Sequence, residues 1–90
     1  MKLDRQQLIN LLEGVDISKK AYRWRLGQTV WNIGAIMFPA AFESFRGSIW
    51  DPFFQDKKII TLFPLIFDEE ALEYWETTDL FKKLNIPTDA

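Results

Sequence analysis

The sequence contains no cysteine and no histidine. Without thiols there can be no disulfide, and without thiols or imidazoles a structural zinc site lacks its usual ligands. The missing histidine also removes the commonest general base near neutral pH and the group that activates a serine nucleophile. Ser18, Ser44 and Ser48 therefore read as structural hydroxyls. Glycine is sparse and scattered: Gly14, Gly27, Gly34 and Gly47 compose neither a phosphate-cradling loop nor a dinucleotide fingerprint. A long apolar run is missing too. The longest uncharged stretch, residues 26–42, is interrupted by Gln28, Asn32 and Pro39 and falls short of the roughly twenty apolar residues that cross a bilayer. The opening Met1-Lys2-Leu3-Asp4-Arg5 lacks the apolar centre of a signal peptide. These absences predict a cytoplasmic, non-enzymatic chain with no metal, no cofactor and no membrane span.

What is present points to a dense core. The 90 residues are 48% hydrophobic and 16% aromatic, enough to predict one globular domain over residues 1–90. Formal net charge is −2 but unevenly spread. Residues 1–46 carry seven Lys/Arg against four Asp/Glu, a balance of +3, and residues 47–90 carry four against nine, a balance of −5. Such polarity can orient a partner or help the two halves pack on each other.

The apolar spacing predicts a mainly α fold: a compact bundle of about five or six short helices around one long central helix. Leu8, Leu11, Leu12 and Val15 follow helical spacing, with Asp4 and Gln7 placed as a capping box and Gly14 as a natural stop. Ser18 is then the expected cap of the long helix, running to about residue 38. Its stripe is Tyr22, Leu26, Val30, Ile33 and Met37, with Trp24, Trp31, Ala35 and Phe38 on a second face. Pro39 suits the first turn of a new helix over residues 40–46, burying Phe42 and Phe45 and ending at Gly47. Residues 48–52 read as a turn, and Phe53 and Phe54 as rings that pin the following loop to the core. Asp56 is the expected cap of the next helix. Residues 59–67 are β-branched and aromatic enough for a strand, but Pro64 favours two short helices instead. Asp68 or Glu69 opens a helix to Trp75, and Thr78 caps a last one through Leu84, closed by Asn85 and Pro87.

The most unusual local feature is polar. Arg25, Gln28 and Asn32 share one helix face, with Gly27 beside them at a cost of roughly 1 kcal/mol relative to alanine, which suggests close approach by another backbone. With Arg46, Asp51 and Asp56 they make either a structural seam holding the 46–56 loop or a face for a small ligand such as a nucleotide. The structural reading is preferred, because seam polar groups usually have protein partners. The pattern Arg25-Leu26-Gly27-Gln28-x-x-x-Asn32, then Arg46-Gly47-Ser48-x-x-Asp51-Pro52-Phe53-Phe54-x-Asp56-x-Lys58-Ile59, resembles one carried by many small hypothetical proteins of phages and bacterial genomes. That family has no assigned activity. The resemblance implies a phage or mobile-element setting, hence the host cytoplasm, and brings no catalytic residue with it.

Three surfaces remain. Lys19, Lys20, Arg23 and Arg25, interleaved with Tyr22 and Trp24, form a basic and aromatic segment of the kind that holds phosphates and stacks bases. Four cations in an acidic chain are a weak footprint, so nucleic acid is the secondary expectation. Asp68, Glu69, Glu70, Glu73 and Glu76 form an acidic patch whose ordinary role is to complement a helix dipole. Trp24, Trp50, Tyr74 and Trp75 are candidate contact rings, since Trp and Tyr are enriched at interface hot spots. The leading expectation is a protein-interaction module, a phage-type effector acting on a larger bacterial assembly such as a host-defence complex, with a second copy of the chain as the alternative partner.

Overall fold

The computed structural model describes residues 2–85, and Pro87 lies outside them. Among the described residues six helices follow in order: α1 (Arg5–Ala21), α2 (Leu26–Met37), α3 (Pro39–Glu43), α4 (Lys58–Ile66), α5 (Glu69–Trp75) and α6 (Asp79–Leu84). The fold is mainly α, as the apolar spacing predicts. Its longest helix, however, is the first one.

The capping box forms as expected: the Gln7 amide donates to Asp4 Oδ1 at 2.9 Å, and the Asp4 amide to Gln7 Oε1 at 2.8 Å. From there α1 continues through Gly14 and Ser18, the two residues expected to stop one helix and start the next. Leu8, Leu11, Val15 and Ser18 are buried on one continuous face, and that burial outweighs the roughly 1 kcal/mol penalty of a mid-helix glycine. The chain breaks instead at residues 22–25, where no glycine or proline announces it. The Tyr22 amide closes α1 on the Ser18 carbonyl at 2.8 Å, and Lys19 Nζ donates to the Trp24 carbonyl at 2.9 Å. Tyr22, expected within the apolar stripe, is exposed outside any helix.

After this four-residue link α2 returns alongside α1, as short connections between packed helices require. It also packs against α3 and α4, so α2 is central in position though not in length. It buries Gly27, Thr29, Val30, Trp31 and Gly34. Pro39 opens the first turn of α3 as expected, although the helix ends at Glu43 and not at Arg46, and the Phe42 ring lies over Gly34, within the space a Cβ there would occupy. Helix α4 is one element with Pro64 inside it, in place of two helices or a strand. Pro64 sits on the exposed side, so the hydrogen bond it forfeits is lost toward solvent, while Ile59, Leu62, Phe63 and Ile66 hold the inner face in the core. Asp68 caps α5 through the Ala71 amide and Thr78 caps α6 through the Phe81 amide, both as expected. Leu3 joins Phe67 in an isolated parallel bridge that ties the start of the chain to the end of α4.

Trp75 lies at the centre of an aromatic core, 4.7 Å from the Phe63 ring centroid and 5.6 Å from that of Phe81. No helix among the described residues is long and apolar enough to cross a membrane.

A candidate interaction loop clamped on α2

Between α3 and α4 the chain follows an irregular path over residues 44–57, and polar groups fix nearly every step of it. Ser48 Oγ donates to the Phe45 carbonyl at 2.6 Å. The two Asp51 oxygens accept from different amides, Gly47 at 2.8 Å and Phe53 at 2.9 Å. Gly47 takes φ +72°, a left-handed conformation that favours glycine, which lets the chain reverse after α3.

The far side of the loop is held from α2. Arg25 spreads its guanidinium across two successive carbonyls, Nη2 to Phe53 at 2.7 Å and Nη1 to Phe54 at 2.8 Å. The Gly27 amide donates to Asp56 Oδ1 at 2.8 Å. Arg25, the residue at the N-cap of α2, makes no side-chain cap, so the carboxylate of Asp56, twenty-nine residues on from Gly27, serves that helix end. Asp56 does not cap its own helix: Lys57 occupies that position in α4, without a side-chain cap. Gly27 is required because a Cβ there would collide with the Pro52 carbonyl oxygen and lie 3.0 Å from Asp56 Oδ1.

Arg46 stands apart from this clamp. It forms a two-point ion pair with Glu43, at 2.9 and 2.8 Å, and its guanidinium lies 5.6 Å from the Trp31 ring centroid. The hydrogen bond from Arg46 holds the Glu43 carboxyl below its ordinary range, and the same bond raises Arg46. Gln28 and Asn32 are half-buried and make no side-chain hydrogen bond among the described residues. Of the six seam residues, Arg25, Asp51 and Asp56 each bind backbone that fixes the loop, Arg46 is held by Glu43 and lies within electrostatic reach of Asp51, and Gln28 and Asn32 take no part. No group of three or more carboxylates among the described residues is arranged to hold a metal.

With the backbone fixed, three large apolar side chains face outward: Ile49 at 72% exposure, Trp50 at 38% and Phe54 at 78%. Trp50 leans edge-on against Phe45, and Phe54 against Phe53 and under Arg25. Phe53 is half-buried as expected, but Phe54 does not pin the loop to the core; Arg25 does that by binding its carbonyl. Ile49 and Phe54 carry no sequence mark of exposure, since an apolar residue in a turn reads equally well as an anchor.

The four rings expected to form a contact patch are dispersed. Trp75 is interior at 2% exposure, which removes it from any surface. Tyr74 is half-buried beneath Arg5, and Trp24 stacks on Tyr22 with centroids 4.4 Å apart. Arg5 and the Lys19 that holds Trp24 lie about 21 Å apart along α1 at 1.5 Å per residue, so Tyr74 and Trp24 lie toward opposite ends of that helix. Only Trp50 belongs to the loop. The basic segment is largely engaged: Lys19 bonds Trp24, Lys20 pairs with Asp16 at 3.4 Å and Arg25 holds the loop. Arg23 alone of the four makes no hydrogen bond or ion pair among the described residues. Glu69 and Glu70 occupy the first turn of α5, where they complement its dipole.

Compared with known proteins, the chain gives no significant match to any family model, curated protein or solved structure.

Proposed function

We propose that this chain is a protein-interaction module whose contact element is the loop over residues 44–57, with Ile49, Trp50 and Phe54 as its anchors. The observation that carries the reading is the combination of exposure and restraint. Large apolar side chains stand in water on a loop whose backbone is secured by Arg25, Asp51 and Asp56. Exposed rings on a slack loop would lose much of their binding energy to ordering, whereas a secured loop has already met that cost during folding. Both loop carboxylates, Asp51 and Asp56, are turned onto backbone amides, and Arg25 lies beside Phe54. The complementary partner surface is thus an apolar depression with carboxylates near its edge. In the phage or mobile-element setting implied by the motif, that partner is a larger bacterial assembly.

The test is affinity capture from bacterial lysate with mass spectrometry, comparing the unchanged chain with Trp50→Ala and Phe54→Ala. A captured protein is expected to bind the unchanged chain about thirtyfold more tightly than either variant, the scale of an interface hot spot. Equal capture by all three, or capture of nothing but the chain itself, would count against the reading.

A further inference from the structure

We propose that a groove between α1 and α6 binds a small amphipathic anion, of which an alkyl carboxylate is the simplest example. The groove encloses about 400 Å³, and none of its lining residues belongs to the interaction loop. That volume lies within the ~300–1,000 Å³ typical of small-molecule clefts. Leu12 and Val15 from α1, Leu26 from the start of α2 and Leu80 from α6 give it an aliphatic floor. This floor offers no hydrogen bond to a ligand, so it selects an apolar body.

The rim supplies the charge. It carries Asp16, Lys19 and Lys83. Asp16 is paired with Lys20, which does not line the groove. Lys19 uses one N–H on the Trp24 carbonyl and keeps two donors. Lys83 makes no hydrogen bond or ion pair among the described residues. Two ammonium groups without a carboxylate partner therefore border an apolar floor. An acid headgroup above an aliphatic chain is complementary to both parts at once. A neutral amphiphile would satisfy only the floor, and a purely polar anion only the rim.

The experiment records amide NMR spectra of the whole chain during titration with decanoate, kept below its micelle-forming concentration, with decanol as the uncharged control. Saturable shifts are expected at Leu12, Val15, Leu26 and Leu80, with the amides of residues 47–54 unmoved. Decanol should bind about fivefold more weakly, the scale of a partly exposed ion pair. Lys83→Glu, on an exposed side chain, should weaken decanoate by about fivefold or more while leaving the spectrum folded. Leu12→Trp, filling the groove, should abolish the shifts. Non-saturating or scattered shifts would overturn the proposal, as would decanol binding as well as decanoate. Undiminished binding to Lys83→Glu would do the same, and these arms stand even if the tryptophan variant fails to fold.

Discussion

Two glycines show how differently one added methyl group acts in this chain. At Gly27 the methyl meets the Pro52 carbonyl oxygen, a backbone atom held by the loop clamp, and the Asp56 carboxylate. Gly27→Ala should cost about 3 kcal/mol of stability by urea denaturation, because neither neighbour can retreat without breaking the contact between α2 and the loop. At Gly14 the nearest atoms are Ile33 Cγ2 at 3.0 Å, a branch methyl held one torsion from the α2 backbone, and Met37 Sδ at 3.5 Å, on a side chain that can turn aside. Gly14→Ala should change stability by less than about 1 kcal/mol, because the helix-propensity gain of that order is offset by the small shift the Ile33 methyl must make. Both glycines stand out in the sequence, but only Gly27 was legible as a close approach. Gly14 reads as a helix end because the packing that carries α1 past it comes from residues further along the chain. Charge obeys the same local rule at Glu43. Its pKa is lowered in the folded chain, so its small contribution is present above the ordinary carboxylate range and is lost as pH falls through the lowered value. By NMR, Glu43 should titrate below the ordinary carboxylate range and move back up in Arg46→Gln.

At the scale of elements, what decides legibility is the distance in sequence between a helix end and the group that serves it. Asp4, Asp68 and Thr78 each accept from an amide three residues ahead, and all three are readable from residue type and spacing. Asp56 accepts from Gly27, across the whole of α2, α3 and the loop. A helical cap three residues away can be inferred; a carboxylate twenty-nine residues away cannot, so Asp56 reads naturally as the cap of α4. Asp68→Ala should cost about 1 kcal/mol, as for an ordinary cap. Asp56→Ala should cost about 2 kcal/mol, since it leaves a part-buried amide without its charged acceptor. Hydrogen exchange provides the sharper comparison. Loss of Asp56 should speed exchange at Gly27 and through the loop, whereas loss of Asp68 should affect only the first turn of α5. The break at residues 22–25 belongs to the same category, because Arg25 leaves the helical conformation to reach Phe53 and Phe54.

For the molecule as a whole, the aromatic residues divide between holding the fold and facing outward. Trp75 contacts Phe63 and Phe81 in the core, and Trp75→Ala should cost about 3–5 kcal/mol by thermal or urea unfolding. Phe54→Ala should change stability by no more than about 0.5 kcal/mol, and Trp50→Ala, which loses the edge-on contact with Phe45, by about 1–2 kcal/mol, while both reduce partner capture. A large loss of stability in Phe54→Ala would place that ring among the structural ones and remove an anchor from the proposed interface. Composition could not make this division, since it counts rings without saying which will be covered.

The amino-acid sequence by itself determined the helical class, the local caps, the start of α3 at its proline and the lack of thiol and imidazole chemistry. Each of these depends on atoms within about one helical turn, or on atoms that are absent altogether. Only the tertiary structure decided where the long apolar run breaks, which helix Asp56 serves, which rings stay in water and which lysines border the groove. Those outcomes depend on surfaces brought together from distant parts of the chain, where burial and hydrogen bonding compare partners that no local spacing reveals.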